Sequence, residues 1–213
     1  MGTNAYFRRN PVGSWRWYRS RFSKLGGARP NAGHTALAEL ERWQVARGRE
    51  FLLVTQNIDT LHGQAGSERL AEVHGRADRV RCSQRSCVNG APRGTLPASG
   101  FDWEAFDANP SEATLPICIA CGSIMRAHVL WFDEYYSEHV DYQFERVIRA
   151  FRQTDLVVCI GTSFSVGVTA AALETRGEKW LIDPGDAPAP PGVHVVRAAQ
   201  EEALPALVAA LAG

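Results

Sequence analysis

Apolar positions recur along this chain with two different periods. Between Ser14 and Phe22, the residues Trp15, Tyr18 and Phe22 fall at i, i+3 and i+7, the spacing of an amphipathic helix. A second helical pattern runs from about Asn31 to Arg47, with Asn31 after Pro30 as N-cap and Gly48 as the stop. Its apolar face is Ala36, Leu37 and Leu40, continued by Trp43 and Gln44. Unbroken apolar runs are read differently: Phe51–Thr55 and Asp155–Gly161 are expected to be buried parallel strands, with Trp180–Asp183 and Val193–Val196 as two shorter ones. Helices are expected over Val140–Gln153, Val166–Arg176 and Glu201–Ala212. Strands linked by helices predict an α/β fold on a doubly wound parallel, Rossmann-like sheet.

Residues 82–121 break the pattern. They hold four of the five cysteines, and Val88–Pro116 is rich in Gly, Pro, Ser and Asn. The expectation is a small module, residues 82–121, inserted into an α/β domain made of residues 1–81 and 122–213. Residues 5–30 would then be the helical part of a smaller domain.

Composition changes the picture little. An apolar share of 45% and a charged share of 22% are those of a globular chain. The 23 Lys+Arg balance the 23 Asp+Glu, which argues against a nucleic-acid partner. The one asymmetry is at the start, where Arg8, Arg9, Arg16, Arg19, Arg21, Lys24 and Arg29 precede the first acid, Glu39. No run approaches the roughly 20 apolar residues of a membrane span. The first residues show no apolar signal region, so a soluble, cytoplasmic protein without a membrane partner is expected.

The cysteines are spaced Cys82-x4-Cys87 and Cys118-x2-Cys121. Two short-spaced pairs on separate turns can set four thiolates at the corners of a tetrahedron, which suits structural zinc. Two disulfides or four buried thiols are the alternatives, and a reducing compartment disfavours the first. Four protein ligands leave no open position for chemistry. Cys159, inside an apolar run, reads as a small core residue.

Polar clusters follow the apolar runs. Thr55-Gln-Asn-Ile-Asp-Thr-Leu-His62 leaves the first strand, at the carboxyl end where α/β sheets bind ligands. Leu70-Ala-Glu-Val-His-Gly75, Ile124-Met-Arg-Ala-His-Val-Leu-Trp-Phe-Asp-Glu134, Ile160-Gly-Thr-Ser-Phe-Ser-Val166 and Leu181-Ile-Asp-Pro184 come after it. Singly, each has an ordinary explanation: His74 as a core or surface histidine, Gly161-Thr-Ser163 as a strand-to-helix turn. Together, in this order and with the four cysteines, they resemble the sirtuins, NAD-dependent protein-lysine deacylases, over nearly the whole chain.

That resemblance implies roles. His74 matches the family's general base, which takes a proton from a ribose hydroxyl; an unperturbed pKa near 6.5 suits the task. Asn57 and Asp59, with Gln56, match the residues around the nicotinamide ribose. Gly161, Thr162 and Ser163 match the turn against the adenosine half, and Asp183 stands where the family usually has Asn beside the adenine ribose. Val129, Leu130 and Phe132 belong to the segment that pairs with the substrate backbone by β-augmentation. Tyr18 and Arg21 match the Tyr-x-x-Arg pair of the class that removes succinyl and malonyl groups; a guanidinium can hold an acyl carboxylate bidentately. The plainer reading packs Tyr18 in the core and leaves Arg21 among the N-terminal cations. The implied reaction transfers an acetyl, succinyl or malonyl group from an acyl-lysine protein to NAD, releasing nicotinamide and O-acyl-ADP-ribose, with zinc as a structural metal. The alternatives are an ADP-ribosyltransferase or NAD glycohydrolase, and a catalytically impaired zinc-bearing subunit.

The sequence also departs from the family. The Gly-Ala-Gly-x-Ser turn that cradles the NAD phosphates has no counterpart here, and Gly26-Gly27 reads as a helix stop. An N-terminally shortened chain that binds NAD weakly is therefore the expectation, with β edges left open in the sheet. Asp133 replaces the Gly usual in the peptide-pairing motif, and Gly167-Val-Thr169 replaces a Pro. The first cysteine pair has four intervening residues where two are usual.

Overall fold

The structure, a computed structural model, describes residues 1–212. In chain order it contains α1 (Asn4–Arg9), α2 (Pro11–Leu25), α3 (Ala32–Val45), β1 (Leu53–Thr55), α4 (Leu61–Gln64), β2 (Leu70–Glu72), β3 (Gly75–Cys82) and β4 (Leu96–Pro97). There follow α5 (Trp103–Ala108), β5 (Met125–Val129), α6 (Phe144–Gln153), β6 (Leu156–Ile160), α7 (Gly167–Leu173), β7 (Glu178–Ile182), β8 (His194–Val196) and α8 (Gln200–Ala212). The chain divides into two compact units. The first comprises Met1–Ala28, Val54–Thr60 and Ala71–Phe144; the second Arg29–Leu53, Leu61–Leu70 and Glu145–Gly213. The division falls within β1 and β2, which pair with each other.

The first unit is built on an antiparallel sheet in the order β4-β3-β5. All five residues of β5 are buried, so this strand reads Met125-Arg-Ala-His-Val129 with charged residues in the core. α2 lies on it through Trp15, whose indole N–H donates to the Met125 carbonyl at 2.8 Å. Phe7, Trp15, Tyr18, Val80, Phe106 and Trp131 share the core with Cys82 and Cys118. The buried charges are paired: Glu134 accepts from Arg81 and from Arg126, and Arg126 stacks on Trp131. Losing one member of such a triad strands a charge where water cannot solvate it.

The second unit carries the parallel sheet β6-β7-β8, with matched registers Leu156↔Glu178 to Ile160↔Ile182 and Trp180↔His194 to Ile182↔Val196. α3 starts where predicted. The Asn31 side chain accepts from the His34 amide at 3.1 Å, while the His34 ring accepts from the Asn31 amide, a capping box with histidine in the usual place of Glu. Ala36 and Leu37 of α3 and Leu204 of α8 pack in one cluster with Ile182 of β7. The run expected to be a buried strand is corrected here: Leu156 is 50% exposed and Val158 37%. Among the described residues β6 pairs with β7 alone, which makes it the edge strand of its sheet, and its apolar side chains are correspondingly uncovered.

Candidate functional site

The cysteines come together at one end of the β3–β5 hairpin region. Cys82 ends β3, and the Gln84 carbonyl turns the chain by accepting from the Cys87 amide. Cys118 and Cys121 sit on a second turn, closed by Cys121 and Gly122 amides on the Cys118 carbonyl. The Sγ atoms of Cys82 and Cys121 are 3.5 Å apart and those of Cys87 and Cys118 3.6 Å, with all four mutually within 4.8 Å. A tetrahedral zinc with bonds of about 2.3 Å needs sulfur–sulfur edges of about 3.8 Å, so the cluster fits that ion. The Gln84 and Asn89 amides and the Asn89 side chain point N–H groups at sulfur, as ligating thiolates require. Donation from Ser123 draws the Cys121 thiol down to about 6, while burial pushes Cys82 up. All five cysteines are unpaired, so no disulfide competes.

The histidine that follows β2 is positioned from three sides within the same unit. The Thr55 carbonyl accepts from Val73, the Ile58 carbonyl from Ala77, and the His74 carbonyl from Leu130. Gly75 permits this approach: its φ is +79°, and a Cβ there would lie 2.1 Å from the His128 carbonyl oxygen. The His74 ring is half-buried. Nδ1 lies 3.1 Å from the Gln56 carbonyl, an acceptor only, so Nδ1 carries the proton and Nε2 presents its lone pair. The Tyr136 hydroxyl meets that lone pair at 3.1 Å, with its ring stacked against the imidazole. Burial pushes the His74 pKa below its ordinary value and so favours the neutral ring, opposed in part by the Gln56 carbonyl.

Gln56, Asn57 and Asp59 leave β1 beside this histidine, Asn57 exposed with its amide on the Thr55 hydroxyl at 3.1 Å. Thr60 closes the loop at φ +68°, a left-handed conformation that a β-branched residue seldom adopts. In the second unit, Gly161, Thr162 and Ser163 leave β6 and Asp183 leaves β7, so both groups stand at the carboxyl edge of one parallel sheet. Gly161 has φ +54°, and the Asp183 carboxylate accepts from the Gly185 amide at 2.8 Å. A carboxylate and a glycine turn at this edge fit a ribose and an adjoining backbone approach.

Other predicted residues are placed less openly. Tyr18 is buried, and its hydroxyl accepts from the Trp131 indole at 2.6 Å. Arg21 is exposed and lies over the Trp17 ring at 3.7 Å, so on one helix face the two side chains turn to different partners. Val129 is buried in β5; Leu130 donates its amide to His74 and Phe132 its amide to the Gly2 carbonyl, leaving the Phe132 ring 91% exposed. Asp133 accepts from the Asn4 and Ala5 amides at 2.7 and 3.0 Å, which gives the unusual carboxylate a structural task at the start of α1. Reading the sequence missed Tyr136 and the Arg81–Glu134–Arg126 triad. Neither gave a motif signal, and Arg81 stands in a stretch already rich in charge, Gly75-Arg-Ala-Asp-Arg-Val-Arg-Cys82.

The Sir2 family profile matches residues 1–168. An NAD-dependent protein deacylase of Thermus thermophilus is 42% identical over 165 residues, 78% of this chain and 57% of the relative. NAD-dependent protein deacylase 1 of Archaeoglobus fulgidus is 34% identical over 189 residues, covering 87% of this chain and 68% of its own length. The dog NAD-dependent protein deacylase sirtuin-5, mitochondrial, is 34% identical over 187 residues, 83% of this chain and 59% of that one. The chain thus spans little more than half the length of two of these three relatives. Among solved structures, a Sir2 homologue in complex with NAD superposes with a TM-score of 0.79 at 30% identity, covering 99% of this chain and 76% of that one. On the profile match, these identities and the shared fold, the chain belongs to the Sir2 family.

Proposed function

We propose that this protein removes acyl groups from protein lysines with NAD as cosubstrate, His74 serving as general base. The observation that carries the reading is the fixed tautomer of His74: Nδ1 is held on the Gln56 carbonyl and Nε2 is turned to a hydroxyl. Bound NAD supplies the nicotinamide leaving group and the ribose that takes up the acyl group. The protein's own part is to hold and move a proton. Tyr136 marks, at 3.1 Å from Nε2, where a hydroxyl can stand to surrender one. Gln56, Asn57 and Asp59 supply donors and acceptors for a ribose, and Gly161, Thr162, Ser163 and Asp183 a surface for the adenosine half. Val129, Leu130 and Phe132 would flank the substrate peptide. The similar deacylases support this reading. Five cysteines without a disulfide fit a reducing, cytoplasmic setting, and among the described residues no helix is long and apolar enough to cross a membrane.

Arg21, exposed and held only by its own helical turn in the contacts described, is the group we assign to an acidic acyl chain. The test measures nicotinamide release from NAD with acetyl- and succinyl-lysine versions of one peptide. His74→Ala is expected to lower the rate on both by about 10²–10⁴-fold. Arg21→Met is expected to depress the succinyl rate alone. Because the His74 pKa is lowered, the rate should hold below the usual imidazole range before falling with acid. A His74→Ala protein of unchanged activity would overturn the reading.

A further inference from the structure

The first unit contains a second group of metal-ligand side chains that the deacylation chemistry does not use. His128 is fully buried on β5, His139 is 2% exposed, and Asp141 lies two residues further on in the turn Val140–Tyr142. The His128 Nε2 is 3.4 Å from Asp141 Oδ2, and the His139 Nδ1 is 3.7 Å from the same oxygen. One ligand atom from each of the three residues lies within 4.8 Å of the others. Nitrogen and oxygen ligands at about 2.0–2.1 Å from a tetrahedral zinc stand about 3.3 Å apart, so small shifts would close the set.

A second observation points to a ligand. The His128 side chain is wholly buried; its Nδ1 has no hydrogen-bond partner among the described residues, and its Nε2 faces the Asp141 carboxylate at 3.4 Å. A buried polar atom left in this condition costs on the order of 1–3 kcal/mol, and a bound cation removes that cost. A cleft of about 270 Å³, lined by Glu72, Arg76, Arg79, His128, Asp141 and Gln143, reaches the group and leaves room for a water as fourth ligand. The His139 Nε2 faces the Gly94 carbonyl at 3.4 Å, which assigns its lone pair to Nδ1. That lone pair now accepts the Asp141 amide at 3.2 Å, the one contact a metal must displace. Charges nearby oppose a cation. Arg81 and Arg126 are met by Glu134 and Arg76 by Glu72 and Asp78, while Arg79 bonds the neutral Thr95 and keeps its charge near Asp141.

We propose that His128, His139 and Asp141 form a second divalent transition-metal site, of the two-histidine, one-carboxylate type, taking zinc with an open coordination position. Two imidazoles and a carboxylate suit zinc and its late first-row neighbours over magnesium or calcium. β5 runs on into Val129–Phe132, so the ion would tie that segment to the turn at 139–141.

The test is the zinc stoichiometry of the whole protein under buffered free zinc. Two ions per chain are expected, one of them on the cysteines. With cobalt in place of zinc, the second equivalent should show no thiolate charge-transfer band. Asp141→Asn, a change at a half-exposed side chain, should weaken the second site by at least about tenfold while the first is retained. Zinc beyond the first equivalent should raise the melting temperature of the parent and not of this variant. His128→Gln serves as the second variant. A parent that takes a single zinc overturns the proposal, as does a second site of undiminished affinity in both variants.

Discussion

The two units make an instructive contrast. In the second, the sequence's periodicity corresponds closely to the structure: α3, β6, β7, β8 and α8 lie within a few residues of the expected spans, yet the unit presents little chemistry beyond one sheet edge. In the first, the chemistry was readable and the architecture only in part, at α2, where the helix expected over Ser14–Phe22 falls within Pro11–Leu25. The cysteines and His74 stand out by spacing and motif, while α1, β3 and β5 gave no usable periodic signal. Repeating apolar faces reveal elements that pack by hydrophobicity. A core held by arginines, indoles and metal ligands reveals itself through residue types.

The largest expected effect tests whether that polar core depends on its metal. Cys118→Ser, or removal of zinc by a chelator, forfeits part of a binding free energy that is on the order of 10 kcal/mol for structural zinc sites. The β3–β5 region should lose its cooperative melt, followed by the fluorescence of buried Trp15 and Trp131. A zinc-free protein with an unchanged melt would show that the aromatic core suffices.

Next comes the triad. Glu134→Ala leaves Arg81 and Arg126 buried without their carboxylate and should cost about 3–5 kcal/mol in denaturant unfolding. The pH dependence has a definite sign. Burial pushes the Glu134 carboxyl up, but Arg126 and Arg81 together hold it below the usual carboxylate range. A depressed folded pKa means the contribution is complete above the unfolded value and fades as pH falls through the folded one. The deficit of the variant should therefore shrink in acid. In the second unit, Leu204→Ala, at a 2% exposed position between α3 and α8, should cost about 2–5 kcal/mol with no such pH dependence. Equal pH dependence in both variants would erase the distinction between the two cores.

What was legible follows from these forces. Asn31 declared α3 because a cap is a local bond between a side chain and an amide three residues on. The β6 run gave the right element and the wrong burial, because exposure depends on how many strands flank it, which no local pattern encodes. β5 alternates Met125, Arg126, Ala127 and His128 in a wholly buried strand, so a period-2 rule that sends charge to solvent fails on it. Glu41, buried in the second unit, was likewise silent: its carboxylate accepts the Glu68 and Arg69 amides, bonds spanning 27 and 28 residues.

The smallest effect concerns the residue that departs from the family pattern, and it shows long-range pairing acting through a local motif. Asp133 offers both carboxylate oxygens to the first amides of α1, the orphan donors that every helix start must satisfy. Thr3 already caps the Tyr6 amide, so α1 does not depend on Asp133 alone. The carboxylate is exposed, and its attraction to the helix start is screened. Asp133→Ala should therefore cost about 1 kcal/mol, within the usual range for losing a cap, and Asp133→Asn less, since an amide oxygen still accepts. Burial pushes this carboxyl up, while the Asn4 and Ala5 amides together hold it below the ordinary Asp value. The contribution should hold at neutral pH and be lost in acid, again by the rule for a depressed folded pKa. Amide exchange at Asn4 and Ala5 is the direct readout. It should quicken in Asp133→Ala while exchange in α3 stays as it was, and a variant with protected α1 amides would assign Asp133 no part in holding that helix.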